Sequence, residues 1–464
     1  MKTQRILRDN GIHEEDRISK LPDSILHHIL SFLLTRHAVS TSILSTRWRY
    51  VWTSVPILDF TDLLGYYTGD QQVIRRFMNF VERVLLFRDT TSIRKFSIGI
   101  HQVCDDTRIN AWISAVIKRK VQEISLTYSL GPPFVFPHSI FNCDSLTSLE
   151  LDMNYCSLNL PSSICLPNLK ILILKCVAFE ANNLSKLLSS CPILEELIIE
   201  DCIWRGNMNI FCISSPTLKR LTICTPFEDF EEAVIKIYAP NLMFFQTISF
   251  SPKDFVFGQF SSLIGADIGT SCDTEFLTEE EKCNTSIKLL QALFNIKVLK
   301  VSCYFLTTLE YAKDIANRLP TFHNLIRLDM NLDYSCLNNK DEMLALLQAS
   351  PNLEHLFLSY RSDDDEEHDS DESFWESINV IDFWVLDAAH IPLFSQLKTV
   401  KCSGSGGFAE IRMLSFFWKY ARVLKTMEIA CSIAFSIEDD TELTKHFLML
   451  PRLSKSAVIN FSQP

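Results

Sequence analysis

The chain has 464 residues, of which 47% are hydrophobic and 22% charged, and its formal net charge is −12. The length exceeds that of one ordinary domain, and the hydrophobic fraction is sufficient for a large core. The chain is acidic and contains no basic run, which argues against nucleic-acid and anionic-membrane partners because these are usually bound through a basic patch.

The N-terminal residues 1–20 are polar and contain no apolar core of a signal peptide. No run reaches the roughly 18 consecutive apolar residues that a membrane-spanning helix needs. We therefore expect a protein that is neither secreted nor membrane-bound and that resides in the cytoplasm, the nucleus or both. In such a reducing compartment the 15 cysteines are expected to be thiols. Residues 1–15 are expected to form a flexible tail.

Residues 16–52 predict three short helices. Pro22 and Asp23 suit the first turn of a helix, because its N–H groups lack partners there and its dipole favours negative charge. The apolar positions that follow form one stripe at helical spacing: Ile25, Leu26, Ile29, Leu30 and Leu33. A second helix is predicted from Ala38 to Leu44.

The third predicted helix covers residues 45–52 and places Trp48 and Trp52 on one face. Three helices in about 40 residues bury little apolar surface, and segments of this size usually need a metal, a disulfide or a partner. The segment contains no cysteine. We therefore expect the apolar surface of a partner to complete its core.

A set of motifs at fixed spacing runs through the same segment. Its members are Leu21-Pro22, Ile25-Leu26, Ile29-Leu30-Ser31, Leu33, Ala38-Val39, Thr41-Ser42, Leu44-Ser45, Arg47-Trp48-Arg49 and Trp52. With these motifs the segment resembles the plant type of F-box, and one departure is Leu34, where that family commonly has proline.

The F-box resemblance implies binding to the Skp-type adaptor of a cullin–RING ubiquitin ligase. The candidate adaptor contacts are Leu21, Pro22, Ile25, Leu26, Ile29, Leu30, Val39, Leu44, Trp48 and Trp52. The alternative interpretation is a small helical cap that packs on the repeats behind it.

An internal repeat of the form L-x-x-L-x-L, with other apolar residues allowed, follows this segment. Its leading residues are Ile93, Val121, Leu146, Leu169, Leu194, Leu218, Leu242, Ile296, Leu325 and Leu353. Up to Leu242 the intervals are 28, 25, 23, 25, 24 and 24 residues, and the step of 54 to Ile296 is close to two units. These intervals are typical of leucine-rich repeats.

The repeat predicts an α/β fold: a small helical F-box, then a leucine-rich-repeat solenoid with a curved parallel sheet and helices outside. Each strand buries alternate side chains, so the units must stack. Proline stands two residues before several leading residues, as at Pro192 and Pro216, where it ends the preceding helix. The candidate target-binding residues lie between the inward positions: Lys170, Glu195, Glu196, Lys219 and Arg220. For any one of them the alternative is ordinary solvated surface.

Two acidic stretches interrupt the repeat. Residues 269–286 are interpreted as an acidic loop, and residues 361–373 as an acidic linker between the repeats and the tail. A docking site for a basic partner is the alternative for these charge runs.

The C-terminal residues 374–464 predict strands and helices in alternation. The strands are predicted at 397–400, 424–429 and 457–461, and the helices at 411–421 and 447–451. The matching motifs are Ser395-x-Leu397-Lys398-Thr399-Val400, Ala421-x-Val423-Leu424-Lys425-x-Met427 and Leu450-Pro451-Arg452. Through these motifs the segment resembles the FBD domain of plant F-box repeat proteins, and it is expected to cap the repeats as an α/β unit.

Together these patterns predict the domains 16–62 (F-box), 63–360 (leucine-rich repeats) and 374–464 (FBD). Through the resemblance they imply the substrate-recognition subunit of an SCF-type ubiquitin ligase, which binds an unknown protein substrate for degradation. We expect no catalytic residues, metal or cofactor, because no catalytic motif or metal-ligand spacing occurs. The alternative function is an F-box protein that binds the adaptor or a partner without ligase activity.

Overall fold

A computed structural model describes residues 18, 20–61, 70–89, 92–101, 104–129, 137–180, 183–205, 210–224, 233–248, 252–270, 277–332, 340–360, 394–404, 408–431, 445 and 447–462. The chain divides into two compact units, residues 1–154 with 159–166 and residues 155–158 with 167–464. The predicted fold class is confirmed, since a helical segment precedes parallel strands that alternate with helices. The predicted tail 1–15 and linker 361–373 lie outside the described residues.

The first unit holds the helical segment and four parallel strands in the order β1-β2-β3-β4. Its helices are α1 (Asp23–Leu30), α2 (Thr35–Ser40), α3 (Gln71–Phe87) and α4 (Asp106–Lys118), with short 3₁₀ turns at Thr41–Ile43, Val51–Ser54 and His138–Asn142. Its strands are β1 (Ile57–Phe60), β2 (Lys95–Ile100), β3 (Glu123–Tyr128) and β4 (Ser148–Ser157).

The third predicted helix, over residues 45–52, is wrong. Residues 46–50 form turns, and only the 3₁₀ turn Val51–Ser54 follows them. Trp48 is nevertheless buried and Trp52 packs against the same core. The spacing of the two tryptophans therefore predicted correctly that both pack against one core, although the backbone between them is not an α-helix.

The helical segment covers the edge of the first sheet. The backbone N–H of Asp59, in the edge strand β1, donates a hydrogen bond of 2.7 Å to the Thr35 hydroxyl of α2. Thr35 is buried, and β1 pairs with β2 in register, Leu58 opposite Phe96. The segment thus has the position of the cap that was the alternative interpretation, because it satisfies a polar group on an otherwise open edge.

A Thr35→Val variant tests this contact. Valine keeps the shape of threonine but cannot accept the Asp59 N–H, so the free energy of unfolding is expected to fall by about 1–3 kcal/mol. Thermal unfolding measures it, with Thr53→Val as the control, since the Thr53 hydroxyl makes an exposed hydrogen bond to Tyr50. An equal fall in the free energy of unfolding in both variants would show that the edge contact stabilises the fold no more than an exposed hydrogen bond does.

The second unit contains the remaining strands. Their order in the main sheet is β5-β6-β9-β11-β13-β14-β15-β16-β17-β18-β19, with β7 beside β5, and β8, β10 and β12 form a separate parallel sheet. The strands are β5 (Ile171–Glu180), β6 (Glu196–Glu200), β7 (Ile203–Arg205), β8 (Ile210–Ser214), β9 (Arg220–Cys224), β10 (Val234–Tyr238), β11 (Phe244–Ile248), β12 (Asp254–Phe257), β13 (Gly265–Ile268), β14 (Val298–Ser302), β15 (Arg327–Leu332), β16 (His355–Tyr360), β17 (Thr399–Gly404), β18 (Thr426–Cys431) and β19 (Val458–Ser462). The helices are α5 (Asn183–Ser189), α6 (Glu279–Ala292), α7 (Cys303–Leu309), α8 (Ile315–Arg318), α9 (Lys340–Gln348) and α10 (Phe408–Tyr420).

The predicted repeat register is confirmed. Every strand assigned to a repeat begins two residues after its leading residue, and the leading and inward residues are all buried. One repeat was not recognised from the sequence. Its residues Leu263, Ala266 and Ile268 are buried around β13, in the middle of the 54-residue step. Alanine is too small to be recognised as a repeat position from the sequence.

The residue before each strand links neighbouring repeats of the second unit. The carbonyl of Lys170, for example, accepts hydrogen bonds from the N–H groups of both Glu195 and Glu196, at 2.8 and 2.9 Å. We call the residues in this position the rim residues: Lys170, Glu195, Lys219, Met243, Ile264, Lys297, Ile326, Glu354, Lys398 and Lys425. They lie side by side along one end of the strands.

The sequence predicted helices throughout the layer beside the main sheet. The structure has helices in only part of this layer. Helix α5 is followed by the sheet β8-β10-β12 and then by α6, and α5 contacts β8 while α6 contacts β12. Alternating apolar residues such as Phe211, Ile213 and Ile235 are buried. Their period of two selects strands over helices in this part of the layer.

The acidic loop predicted at 269–286 is wrong for its second half. Helix α6 begins at Glu279, and its N-terminus has a capping box in which Thr278 and Glu281 exchange side-chain to backbone hydrogen bonds. Three glutamates in the first turn are favoured by the helix dipole. Residues 271–276 lie outside the described part.

In the C-terminal segment the strands β17, β18 and β19 continue the main sheet in parallel register. The helix predicted at 411–421 is confirmed as α10, and residues 447–449 are helical. The strand predicted at 397–400 begins at Thr399 and extends through Gly404. The segment thus follows the same repeat geometry as the strands before it, and the predicted boundaries at 360 and 374 stay predictions.

Candidate protein-binding surfaces

The apolar residues of the helical segment divide between a core and the surface. The core consists of Leu26, Leu30, Ala38, Trp48, Val51 and Val55, with Leu21 and Trp52 packed against it. Leu26 and Leu30 recur every four residues on α1, so one side of the helix faces this core. The predicted apolar stripe is wider than the buried side.

Most of the remaining apolar side chains of the segment are exposed. Ile25 and Ile29 of α1 have exposed fractions of 44% and 41%, and Leu44 has 64%. Phe32 and Ile43 are more exposed still, at 76% and 86%. Large apolar side chains clustered in so short a segment are typical of a protein-binding surface.

The ten predicted adaptor contacts therefore differ in accessibility. Exposed residues are Pro22, Ile25, Ile29 and Leu44, and half-buried ones are Leu21, Val39 and Trp52. Leu26, Leu30 and Trp48 are buried and offer no surface to a partner. Their side chains form the core that holds the exposed residues, and their predicted contact with the adaptor stays a prediction.

Two exposed residues escaped the sequence interpretation, Phe32 and Ile43. Phe32 lies next to the stripe on α1, and Ile43 lies inside the second predicted helix, so both were counted as parts of helices. Their exposure could have been predicted from the sequence, because an apolar residue on the polar side of a helical pattern does not face the core.

Arg47 fixes the first helix to the turns that follow it. Its guanidinium donates to the Leu21 carbonyl and, at 2.8 Å, to the Asp23 carboxylate. The Arg47 hydrogen bond holds the pKa of Asp23 below its ordinary value. The Arg-Trp-Arg motif thus contributes an N-terminal clamp on α1 as well as the buried Trp48.

A second clamp joins the helical segment to α3. The Arg88 guanidinium, which is buried, donates a 2.5 Å hydrogen bond to the Val55 carbonyl, and Ser54 hydrogen-bonds Asp89. Burial lowers the pKa of Arg88 to about 10. A buried cation held this way positions the segment firmly, because displacing Val55 would leave the charge without this acceptor.

Leu34, the departure from the F-box pattern, lies between α1 and α2. Its backbone has φ −53° and ψ 143°. These angles are those that a proline adopts. Leucine therefore adopts here the backbone conformation that the family's proline would impose, directly before α2 begins at Thr35.

The five predicted target-binding residues lie together at the starts of β5, β6 and β9. Glu195 binds Lys219 at 2.9 Å and Lys170 at 3.6 Å, and Glu196 binds Arg220 at 2.7 Å. The Lys219 hydrogen bond lowers the pKa of Glu195, and Glu196 raises that of Arg220. These side chains therefore largely neutralise one another's charge. The prediction that they bind a target remains untested.

The described residues contain no group of three or more His, Cys, Asp or Glu side chains that could hold a metal ion. Burial raises the pKa of Cys191 and of Cys202 to about 12, which keeps both as unreactive thiols. The expectation of thiols fails for Cys303, which is disulfide-bonded. Within the described ranges, no helix has the length and apolar character of a membrane span.

Comparison with known proteins supports both parts of the interpretation. An F-box domain model matches residues 18–60. A model of the leucine-rich repeats of the FBD-associated F-box protein At5g56370 matches residues 109–252. The F-box/LRR-repeat protein At4g14096 of Arabidopsis thaliana is 34% identical over 348 residues, which cover 74% of this chain and 73% of that protein.

This chain belongs to the family of plant F-box/LRR-repeat proteins. F-box/LRR-repeat protein 13 of the same plant is 30% identical over 482 residues, 98% of each chain. The putative F-box/FBD/LRR-repeat protein At3g59240 is 32% identical over 355 residues, 74% of this chain and 68% of that protein. The F-box match includes β1, so the F-box of this chain contributes the first strand of a repeat sheet.

Proposed function

We propose that this F-box/LRR-repeat protein is the substrate-recognition subunit of an SCF-type ubiquitin ligase. Its F-box binds the Skp-type adaptor, and its repeats bind the protein that is to be ubiquitinated. The observation that carries the proposal is the exposed apolar set on residues 25–44, which the F-box does not bury by itself. Burying a fully exposed apolar side chain contributes about 1.5–3 kcal/mol, and a partly exposed one contributes in proportion to the area that the partner covers.

The proposed contribution to ubiquitin transfer is positional. The protein supplies no reacting group and instead holds the target near the ubiquitin-loaded partner, which raises the effective concentration of the target lysines. The clamp between Arg88 and Val55 supports this role, because it fixes the F-box relative to the first repeats. We propose the cytoplasm or the nucleus as its location, and residues 16–62, 63–360 and 374–464 as its F-box, repeat and FBD domains.

Co-purification tests the proposal. The full chain, expressed with a Skp-type adaptor and a cullin, is expected to purify as a stoichiometric ternary complex. Adaptor binding without the cullin would instead favour an F-box protein that has no ligase activity. Failure to bind the adaptor would contradict the proposed function and leave only the binding of another partner without ligase activity.

A further inference from the structure

The rim residues of the second unit change from charged to mainly apolar and back to charged along the sheet. At one end Glu195 pairs with Lys170 and Lys219, and at the other Glu354 pairs with Lys398 at 2.6 Å. Between these ion pairs the rim residues are Met243, Ile264, Lys297 and Ile326. At four successive strands the rim residues are thus three apolar residues and one lysine, whereas the rim residues on either side form ion pairs.

The apolar side chains of this interruption are accessible. Ile326 has an exposed fraction of 40%, while Met243 and Ile264 are half-buried. Phe244, the residue after Met243, is 46% exposed. We call Met243, Phe244, Ile264, Lys297 and Ile326 the anchor patch, and the strand spacing gives it a width of about 15 Å.

Gly265 gives the Phe244 ring its place in the patch. It stands opposite Phe244 on the neighbouring strand, and a methyl group there would lie 3.3 Å from Phe244 Cδ1. The ring therefore lies across the glycine, in space that any other residue would fill with its own side chain. An exposed aromatic ring supported by a glycine is a rigid apolar contact surface.

Lys297 is the cation of the patch, and it is exposed. The nearest strand offers Asp267, but that carboxylate already accepts hydrogen bonds from Lys300 at 3.0 Å and Gln246 at 3.1 Å. Among the described residues no carboxylate forms an ion pair with Lys297. Its charge is thus available to a partner, unlike that of Lys219 or Lys398.

We propose that the anchor patch binds the target protein, and that it recognises a segment in which a large apolar side chain stands next to an aspartate or glutamate. This proposal rests on the proposed function and names the class of target that the repeats receive. The apolar side chain packs on Phe244 and Ile264, which lie on neighbouring strands, and the carboxylate pairs with Lys297 on the next strand. A nucleic acid fits poorly, since its repeated phosphates would meet one unpaired cation among apolar side chains.

Selection from a random peptide library displayed on phage, against the full chain, tests the proposal. Enriched sequences are expected to combine an aromatic or large aliphatic residue with a neighbouring acidic one. The selected peptide is expected to bind Lys297→Glu and Phe244→Ala at least tenfold more weakly in fluorescence anisotropy. Selection on Lys297→Glu is expected to enrich lysine or arginine in place of the acidic residue.

The matched control is Lys313→Glu, which reverses an exposed charge outside the strands and is expected to leave the selected sequences unchanged. No enrichment, or enrichment that ignores Lys297→Glu, would overturn the proposal. Adaptor co-purification is measured for every variant and is expected to be unaltered. A chain that selects the predicted peptides but binds no adaptor would contradict the proposed function and leave the anchor patch intact as a binding site.

Discussion

The Ile25→Asp variant is expected to lose the Skp-type adaptor in co-purification while its thermal unfolding remains that of the wild type. Ile25 is 44% exposed on α1, so aspartate meets water in the free chain and costs little there. In the complex the variant loses the apolar contact of the exposed 44% of Ile25, which is a corresponding fraction of the about 1.5–3 kcal/mol for burying a whole side chain. The buried carboxylate weakens binding further.

The matched control for Ile25→Asp is Leu86→Asp on α3. Leu86 is 75% exposed and lies outside the F-box helices, so its variant is expected to bind the adaptor at wild-type strength. Equal binding by Ile25→Asp and the wild type would remove the exposed side of α1 from the adaptor interface. Equal losses in both variants would point to a general effect of the added charge.

The Trp48→Ala variant is expected to unfold the helical segment and leave the second unit folded. Trp48 is buried among Leu26, Leu30 and Val55, and removing a buried tryptophan costs about 3–5 kcal/mol. A core of so few residues cannot offset that loss. Hydrogen exchange is expected to show loss of protection over residues 21–55 and at the Asp59 amide, which hydrogen-bonds Thr35. Adaptor binding is expected to disappear with it.

Leu26→Asp is expected to follow Trp48→Ala, because Leu26 has no exposed surface. It abolishes adaptor binding by opening the core, whereas Ile25→Asp acts on the interface of a folded segment. Trp52→Ala serves as the milder control, since Trp52 is only half-buried. Wild-type protection of residues 21–55 in Trp48→Ala would contradict the assigned core.

Most of the fold could be predicted from the sequence because each repeat carries its own inward residues. A leading leucine, a third and a fifth apolar residue define a strand without any distant contact, as at Leu169, Leu172 and Leu174. The prediction failed where the inward residue was small, as at Ala266, and where an acidic composition hid a capped helix after Thr278. It also failed at residues 45–52, where tertiary packing of Trp48 holds turns in place of a helix.

The candidate sites could be predicted only in part. Helical periodicity placed Ile25 and Leu26 in one stripe, but only the position of Val55 and Trp48 decides which of them is buried. Similarly, Lys170, Glu195 and Lys219 lie about one repeat apart in the chain, and their pairing follows from strand register. The anchor patch depends on Lys297 having no ion-pair partner among the described residues, which no local sequence pattern reveals.

The hydrogen bond from Asp59 to Thr35 couples the folding of the F-box to the protection of the edge strand β1. Any partner that binds the folded F-box also stabilises the segment that covers β1, and at a hundredfold excess over its Kd it adds about 2.7 kcal/mol. A copy without adaptor opens this edge more often and presents unpaired strand groups to proteases and to other chains. The cellular amount of the receptor is therefore expected to follow the supply of adaptor, with surplus copies cleared first.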